Sequence, residues 1–354
     1  MNFHTKYHNQ RTKYAEELFE KKNSLPHRYV LILTNKCNLA CSFCFQERKS
    51  RSDAMTTNDW LAVIEQLPDY AHVTLTGGEP LVFKDFKEIF INVNKKFTTN
   101  VISNGLLITE DIINLFTQTK NFQVLSISID DIGNIARDVK PVHWTQMIKN
   151  IDLLKKNILK NNSKMLLDAK TVVTDQNAKD LFEIYKFLVE KIEVNTHSFQ
   201  ILKGSPIQHA DLMFPYDDIH KNFQAYKYEK FDIIIEQLEK VRKYNLDEKK
   251  YSYIHPKWID LNSNKTIYEQ DYQLLNSSNH QSVNFKLCKA PWESIHINVD
   301  GNLFPCLAVK IGNIKEKKLY QIINGNKFQK FKKDLIENST FGACNRCGYL
   351  QLKP

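Results

Sequence analysis

The chain has 354 residues, of which 42% are hydrophobic and 25% charged, a composition that argues against disordered, collagen-like or coiled-coil proteins. Its net charge of +9 is spread along the chain without a dense basic run, so we expect no nucleic-acid partner. No apolar run is long enough to span a bilayer and no signal peptide opens the chain, which predicts a cytoplasmic protein without a membrane partner.

Short β-branched segments alternate with helical patterns up to residue 202. The predicted strands are Tyr29–Thr34, His72–Thr76, Asn100–Ser103, Gln123–Asp130, Met165–Thr174 and His197–Leu202. The predicted helices are Thr57–Leu67, Phe83–Lys95, Thr109–Thr117, Trp144–Leu159 and Asn177–Val189. Alternation at this spacing indicates parallel strands joined by right-handed crossovers. The predicted fold is therefore α/β, a partial (β/α)6 TIM-like barrel of parallel strands.

The predicted barrel occupies residues 29–245 and is flanked by three further segments. Residues 1–28 are predicted to form an N-terminal extension with one helix around Tyr14–Phe19. The barrel ends in an amphipathic helix whose apolar face consists of Phe231, Ile234, Ile235, Leu238 and Val241. Residues 246–283 are polar and are predicted to be a linker or lid. Residues 284–354 hold four of the seven cysteines and are predicted to form a small cysteine-rich cluster-binding domain.

Alternation along the strands predicts which side chains face the barrel interior. In the fourth predicted strand, Leu125, Ile127 and Ile129 form an apolar face that should contact helices. The polar side chains predicted to point inward are His72, Thr74, Thr76, Ser126, Ser128, Asp130, Asp168 and Lys170. Polar groups are costly to bury, so either a ligand or a network among themselves should satisfy them.

The seven cysteines are an odd number, which in a cytoplasmic chain argues for metal or redox use rather than disulfides. Cys37, Cys41 and Cys44 form a C-x3-C-x2-C motif directly after the first predicted strand. Three thiolates on one tight loop can hold three irons of a [4Fe–4S] cluster and leave the fourth iron open to a ligand. A structural zinc site would need a fourth closing ligand, and the sequence offers no Cys or His nearby.

This loop, with Phe43 before the third cysteine, resembles that of radical S-adenosylmethionine (SAM) enzymes. The family's further motifs follow in order as Gly77-Gly78-Glu79-Pro80, Ser103-Asn104-Gly105 and Ser126-Ile127-Ser128-Ile129-Asp130. The resemblance covers about residues 28–204 and implies a [4Fe–4S] cluster bound to the three cysteines and SAM. It also implies reductive cleavage of SAM to a 5′-deoxyadenosyl radical, which abstracts a hydrogen atom from the substrate. An electron donor such as flavodoxin or ferredoxin is then an expected partner.

The resemblance further implies which residues bind SAM. The expected cofactor-binding residues are Phe43, Gly77, Gly78, Glu79, Ser103, Asn104, Ser128, Asp130 and Arg137. The two glycines would let the backbone approach a ligand closely. Glu79 is expected to accept a hydrogen bond from the SAM amino group, and Ser128 and Asp130 to bind the ribose hydroxyls. Arg137 is expected to pair with the SAM carboxylate, and the alternative for it is a surface salt bridge.

The C-terminal segment contains the remaining cysteines, Cys288, Cys306, Cys344 and Cys347. Four thiolates make a closed site, which suits either a zinc ribbon or a fully ligated [4Fe–4S] cluster. The spacing from Cys288 through Gly301 to Cys306, followed by Gly312-Asn313-Ile314, resembles the SPASM extension of radical SAM enzymes. A full SPASM domain has further cysteines, so the resemblance is to the shorter twitch version. It implies one auxiliary [4Fe–4S] cluster bound to four cysteines.

Two clusters together imply an oxidation, because a fully ligated auxiliary cluster can accept the electron of a substrate radical. The predicted function is a radical SAM oxidoreductase that carries out a net two-electron oxidation. A proton must also leave, and Asp168, Lys170, His197 and Gln200, at or near the predicted inner face, are candidates for the catalytic base or for substrate contact. All seven cysteines are used as ligands, which argues against an epimerase that needs a spare thiol.

The substrate is left open between a small molecule, such as a sugar or aminocyclitol, and a ribosomally made peptide that is oxidised or cross-linked. About 28 residues precede the first predicted strand, which is short for a leader-peptide-binding domain and slightly favours a small molecule. A cyclic-pyranopterin-type enzyme is disfavoured, because its second cluster is held by three cysteines. A non-catalytic iron–sulfur or zinc-ribbon protein is the alternative of another class, and it would leave a SAM site without a use.

Overall fold

A computed structural model describes residues 3–21, 24–44, 52–202, 226–265, 267, 270, 272–273, 284–306, 309–347 and 349–353. The strands are β1 (Arg28–Ile32), β2 (His72–Thr76), β3 (Thr98–Ser103), β4 (Phe122–Ser128), β5 (Leu166–Val173), β6 (Thr196–Ile201), β7 (Tyr253–His255), β8 (Ser294–Ile297), β9 (Asn302–Phe304) and β10 (Gly312–Asn313). The helices are α1 (Phe3–Glu20), α2 (Thr57–Glu65), α3 (Phe86–Lys96), α4 (Glu110–Gln118), α5 (Pro141–Lys160), α6 (Leu181–Phe187), α7 (Phe231–Glu248), α8 (Ala290–Glu293), α9 (Leu319–Ile323) and α10 (Asn326–Asn338).

All described strands belong to one sheet, in the order β10-β9-β8-β1-β2-β3-β4-β5-β6-β7. β1 to β6 are parallel and adjacent in chain order, and helices connect them. The predicted α/β partial barrel is therefore confirmed. Among the described strands the sheet stays open, because β7 and β10 lie at its two ends and do not pair with each other.

Local sequence signals set the boundaries of several helices. α2 begins at a capping box, in which the Thr56 hydroxyl accepts the Asp59 backbone N–H and the Asp59 carboxylate accepts the Thr56 backbone N–H. α5 begins at Pro141, whose fixed φ suits the first helical position. The predicted helix over Asn177–Val189 is instead a 3-10 turn, α6 and a π-turn at Leu188–Ile192.

The sheet separates an apolar outer layer from a polar inner face. Leu125, Ile127 and Ile129 are buried in the core that the helices cover, as the strand alternation predicts. On the opposite face, Ser126 and Asp168 pair in register on β4 and β5. The concave inner face thus brings polar side chains of several strands together, next to the loops that follow β1 to β4.

The C-terminal segment continues the barrel sheet. β8 pairs in parallel with β1, and Ile295, Ile297 and Phe331 belong to the same hydrophobic core as Leu31. At the other end, β7 lies within the predicted linker or lid of residues 246–283 and pairs with β6. Part of that predicted lid, including residues 274–283, lies outside the described residues. The domain boundaries at residues 28, 245 and 283 stay predictions.

Within the described ranges, none of the helices has both the length and the apolar character that crossing a membrane requires.

Candidate functional site

The first cysteine motif lies on the loop that leaves β1. Burial raises the pKa of the Cys37 thiol, and the nearby thiols of Cys41 and Cys44 add to the rise, so the three thiols lie near one another. The Cys37 sulfur accepts the Leu39 backbone N–H at 3.4 Å. The loop therefore gathers the three predicted ligands at the carboxyl end of the first strand.

Gly77 and Gly78 lie against the segment that leads into the cysteine loop. A Cβ atom on Gly77 would lie 2.4 Å from the Thr34 carbonyl oxygen, and one on Gly78 would lie 2.4 Å from that of Lys36. Gly78 N–H donates to Thr34 and Glu79 N–H to Lys36, at 2.7 and 2.9 Å. The two glycines therefore allow a close approach of the backbone to another backbone segment, whereas the sequence predicted an approach to a ligand. This contact fixes the cysteine loop to the end of β2.

Glu79 is fully buried and joins two loops through its carboxylate. Oε1 accepts the Leu81 N–H at 3.1 Å and the Ser103 hydroxyl at 2.9 Å, and Oε2 accepts the Asn104 N–H at 2.7 Å. Asn104 in turn donates to Asn38 at 2.8 Å, within the cysteine loop. Burial raises the pKa of Glu79 to about 7, although these hydrogen bonds oppose the rise. Its expected bond to an amino group of SAM stays a prediction.

Arg137 faces the cysteine loop and not the surface. Its Nε lies 2.6 Å from the carboxylate of Asp130, and its Nη1 donates to the Cys41 sulfur at 3.9 Å. Its guanidinium lies over the Phe43 ring, 5.3 Å from the centroid. The Arg137 side chain is 12% exposed, so the salt bridge that it makes is with Asp130 in the interior and not at the surface. Burial raises the pKa of the Cys41 thiol, and the guanidinium opposes this rise.

The predicted ribose-binding residues lie at the end of β4. Asp130 is buried and accepts the Val172 backbone N–H at 2.7 Å, in addition to its ion pair with Arg137. Burial raises the pKa of Asp130, and Arg137 lowers it. Ser128 is partly buried on the same strand. Their binding of ribose, like the pairing of Arg137 with a carboxylate, stays a prediction.

A cavity of about 520 Å³ opens beside the cysteine loop. Its walls include Cys37, Leu106 and Asp138, together with His143 near the start of α5. The loops after β1, β3 and β4 supply most of this lining, so the cavity lies at the carboxyl edge of the sheet. Ligands of parallel α/β sheets bind at this edge.

A hydrogen-bonded network covers the inner face of β4 to β6. The carboxylate of Asp168 accepts the hydroxyls of Ser126 and Thr196, each at 2.7 Å, and lies 3.1 Å from the Lys170 ammonium. Lys170 also donates to Ser198 at 3.4 Å. Asp168 is 1% exposed, whereas the Lys170 side chain is 26% exposed. The predicted inward placement of both residues is confirmed. Gln200 also lies on this face and donates to Ser198 at 3.2 Å.

His197 lies on the opposite side of the sheet, so its placement at or near the inner face is wrong. Its ring bonds Thr171 at 3.0 Å and Ser252 at 2.9 Å, and it contacts Tyr185 and Phe199 in the outer core. Side chains alternate along β6, so Thr196 and Ser198 face inward where His197 does not. Thr196 was missed because the predicted strand began one residue later.

The C-terminal cysteines gather close to one another. Burial raises the pKa of the Cys288 thiol, and the nearby thiols of Cys347 and Cys344 add to the rise. Cys306 lies just after β9, opposite Val309, and both it and Cys344 contact the main core. The structure thus places Cys344 and Cys347 near Cys288, and Cys306 beside the β8–β9 hairpin.

The chemistry of both thiol sets fits iron–sulfur clusters. In the described part of the chain, no three Cys, His, Asp or Glu side chains converge tightly enough to hold one metal ion. A cubane cluster binds each thiolate to a different iron, so its ligands need not converge on one ion. Cys37, Cys41 and Cys44 would hold a cluster with an open iron, and the four tail cysteines a closed one. The binding of SAM by Glu79 and Asp130 stays a prediction.

Sequence models of two protein families match the chain. Residues 31–188 match the radical SAM superfamily, and residues 288–348 match SPASM, an iron–sulfur cluster-binding domain. The two matched ranges contain all seven cysteines, three in the first and four in the second. The matches therefore assign the two predicted clusters to two domains known to bind such groups.

Two relatives illustrate the similarity in sequence. The chain is 39% identical over 114 residues to the sporulation killing factor maturation protein SkfB of Bacillus subtilis, a match that covers 31% of this chain and 28% of SkfB. It is 28% identical over 137 residues to the subtilosin biosynthesis protein AlbA of the same organism, covering 37% of this chain and 31% of AlbA. The chain thus spans less than a third of either relative in these matches.

The fold is similar to that of SuiB of Streptococcus suis, solved with SAM bound. The TM-score is 0.62 at 18% identity, and the match covers 91% of this chain and 71% of SuiB. At this identity the likeness shows the shared fold alone. The two family matches, with this shared fold, show that the chain belongs to the radical SAM superfamily and carries a C-terminal SPASM-type domain. Its cofactors are SAM and iron–sulfur clusters, one of which is auxiliary.

Proposed function

We propose that this radical SAM enzyme oxidises a peptide, and that its auxiliary cluster accepts the electron of the substrate radical. The similarity to proteins named for peptide products carries the proposal. SkfB is named for maturation of the sporulation killing factor and AlbA for subtilosin biosynthesis, and SuiB was solved with its precursor peptide SuiA. These names favour a peptide over a small molecule as the substrate.

The cofactors supply reductive cleavage of SAM and hydrogen abstraction from an unactivated C–H bond. The protein's own residues bind the cofactors and shield the reaction that they carry out. Cys37, Cys41 and Cys44 would bind the first cluster, and Arg137 donates a hydrogen bond toward one of these thiols. Glu79 fixes the surrounding loops through its buried carboxylate. The four C-terminal cysteines would bind the auxiliary cluster.

Lys170 is the side chain we assign to substrate contact on the inner face. The Asp168 carboxylate accepts the hydroxyls of Ser126 and Thr196 and lies 3.1 Å from the Lys170 ammonium, so it anchors that ammonium. Lys170 is the more accessible of the two and can donate to a substrate carbonyl. The carboxylate is therefore a positioning residue, and the ammonium is the group that reaches the substrate.

The function can be tested on protein reconstituted without oxygen. Short peptides encoded beside the gene are incubated with the enzyme, SAM and dithionite, and analysed by mass spectrometry. We expect one peptide to lose two hydrogen atoms in mass while 5′-deoxyadenosine forms. SAM-dependent oxidation of a sugar or cyclitol, with all such peptides unchanged, would overturn the peptide proposal.

Replacement of Lys170 separates substrate binding from SAM cleavage. We expect Lys170→Met to retain 5′-deoxyadenosine formation and to lose about ten- to a hundredfold in product formation, the effect of one charge-assisted hydrogen bond. Lys149→Met, on the exposed face of α5, is the matched control and should leave both rates unchanged. An unchanged product rate in Lys170→Met would remove Lys170 from the site.

A further inference from the structure

Arg137 contacts the first cysteine motif at two points. Its Nη1 donates to the Cys41 sulfur at 3.9 Å, and its guanidinium carbon lies 5.3 Å from the centroid of the Phe43 ring. Cys41 is buried, with 8% of its surface exposed, whereas Cys37 and Cys44 are partly exposed. The guanidinium therefore contacts the buried thiol of the motif and the segment that leads from it to the third cysteine.

Asp130 holds the same guanidinium through a different nitrogen. Its Oδ2 lies 2.6 Å from Nε of Arg137, and its Oδ1 accepts the Val172 backbone N–H at 2.7 Å. Asp130 is fully buried and the Arg137 side chain is 12% exposed, so salt and water screen this ion pair weakly. The carboxylate thus links the guanidinium to β5, and the guanidinium links the sheet to the cysteine loop.

The turn that carries Arg137 is fixed by its own hydrogen bonds. It spans Ile135–Arg137, and its first two backbone N–H groups donate to the carboxylate of Asp131, each at 2.7 Å. The residues on either side, Asn134 and Asp138, have positive φ angles of 54° and 58°. Asn and Asp adopt this left-handed conformation more readily than most residues do. The chain therefore holds Arg137 at the end of a tightly defined loop.

A guanidinium in this position favours the reduced form of a cluster bound to Cys41. One-electron reduction adds one negative charge to an iron–sulfur cluster. Arginine stays protonated, and its positive charge attracts the added charge more strongly in a buried site than in water. Hydrogen bonds to the ligand sulfurs and the local net charge are among the factors that set the reduction potential. The negative charge of Asp130 acts in the opposite sense.

We propose that Arg137 is a positioning residue for the first cluster, where it fixes the Cys41 thiolate and raises the reduction potential of the cluster. A higher potential eases the transfer of an electron to the cluster from dithionite or from a protein donor. In this role Arg137 acts before SAM binds, whereas pairing with the SAM carboxylate would act only on the bound cofactor. The inference goes beyond the proposed function, because it holds for a peptide and for any other substrate.

The reduction potential of the first cluster tests this role. It is measured without SAM on the reconstituted full chain, by EPR during a titration with dithionite, and the signal of the first cluster is the one missing from Cys41→Ala. We expect Arg137→Met to make one-electron reduction about tenfold less favourable, which is a shift of about 59 mV to more negative potential. Asp130→Asn removes the opposing negative charge and should shift the potential to more positive values.

Arg137→Lys keeps the experiment decisive if Arg137→Met fails to fold. Lysine retains the positive charge beside Asp130 but presents a single nitrogen, so it cannot contact Asp130 and Cys41 through separate groups. We expect this variant to retain iron and to show a smaller shift in the same direction. Arg242→Met on α7 is the matched control, because Arg242 Nε also lies 2.6 Å from a carboxylate, that of Glu239, and its side chain is 18% exposed. It should leave the potential unchanged.

The possible results separate this role from two others. An unchanged potential in both Arg137 variants would overturn the proposal. Weaker SAM binding would then assign Arg137 to the SAM carboxylate, and a lower melting temperature alone would assign it to a structural ion pair. Shifts of opposite sign in Arg137→Met and Asp130→Asn support the proposal, whereas shifts of the same sign would overturn it, because the ion pair would then act only through the shape of the loop. The measurement uses no substrate, so the mass assay on peptides decides the proposed function independently.

Discussion

Glu79 connects the loops around the first cysteine motif through one carboxylate. Its oxygens accept backbone N–H groups of Leu81 and Asn104 and the hydroxyl of Ser103. Asn104 extends this connection to Asn38 in the cysteine loop. Because the residue is fully buried, its ionised form is held at a cost, and its pKa is raised to about 7. The protonation state of Glu79 therefore couples the order of these loops to pH.

The raised pKa of Glu79 predicts a pH-dependent stability. The native state binds the proton up to about pH 7, whereas the unfolded chain releases it near the ordinary value of 4.5. The free energy of unfolding contributed by Glu79 is therefore fully present below that value, and up to about 3 kcal/mol is lost as the pH rises to neutrality. Glu79→Gln should flatten this fall in melting curves recorded from pH 5 to 8.

The control for that series is Glu88→Gln, on the exposed side of α3. It should keep the wild-type slope, because the exposed Glu88 side chain is replaced while the buried Glu79 carboxylate stays intact. Parallel curves for wild type and Glu79→Gln would show that Glu79 does not titrate in this range.

At the scale of elements, the packing between the loops that follow β1 and β2 depends on glycine. The backbone of residues 77–79 runs against that of residues 34–36, within hydrogen-bond distance at two points. The cysteine loop that follows is thereby anchored at its start. A side chain at either glycine would meet carbonyl oxygens that cannot move without breaking this contact.

Gly78→Ala tests this anchoring. Its Cβ would meet the Lys36 carbonyl at 2.4 Å, so we expect a loss of about 2–4 kcal/mol in stability and weaker iron retention. Gly312→Ala is the matched control, because its Cβ would meet the Ile322 side chain at 2.8 Å, and a side chain can rotate away. Equal losses of iron and melting temperature in both variants would contradict a special role for the loop contact.

Sequence patterns were sufficient for the elements whose signals are local. Each predicted barrel strand overlaps an observed one, and His72–Thr76 has the same bounds in both, because alternation and flanking turns are read within a few residues. β7 and β8 have three and four residues, and they become strands only by pairing with β6 and β1 across the fold.

The candidate site shows the same division between features set by local sequence and features set by the fold. The cysteine spacings are local and can be read from the sequence, whereas two of the three partners of Glu79 lie 24 and 25 residues away and require the fold. His197 was misplaced because a shift of one residue in a strand moves a side chain to the opposite face.

At the scale of the molecule, the barrel and the C-terminal segment share one sheet and one core. β8 extends the barrel sheet beyond β1, and the Met55 N–H donates to the Val299 carbonyl at 2.7 Å. Lys315 donates to the Asp53 carbonyl at 2.6 Å, so the far side of the cysteine loop is also tied to this segment. The two cluster-binding parts are therefore expected to be held at a fixed separation.

The shared core predicts one cooperative unfolding transition. A chain cut after residue 283 would expose the edge of β1 and the apolar face that Ile295, Ile297 and Phe331 cover. We expect this fragment to aggregate and the full chain to melt in a single calorimetric step. Two resolved transitions, or a soluble folded fragment, would show that the parts are independent domains.

A fixed separation between the clusters is what an electron acceptor needs, and Cys306 tests this assignment. Cys306→Ala should lower the iron content of the reconstituted protein from about eight per chain toward about four. We expect 5′-deoxyadenosine to form still, because Cys37, Cys41 and Cys44 are untouched, while oxidised product disappears. Cys41→Ala is the opposite control and should abolish SAM cleavage. If Cys306→Ala still yields oxidised product, the C-terminal cysteines hold a structural group, and the substrate electron must leave by another route.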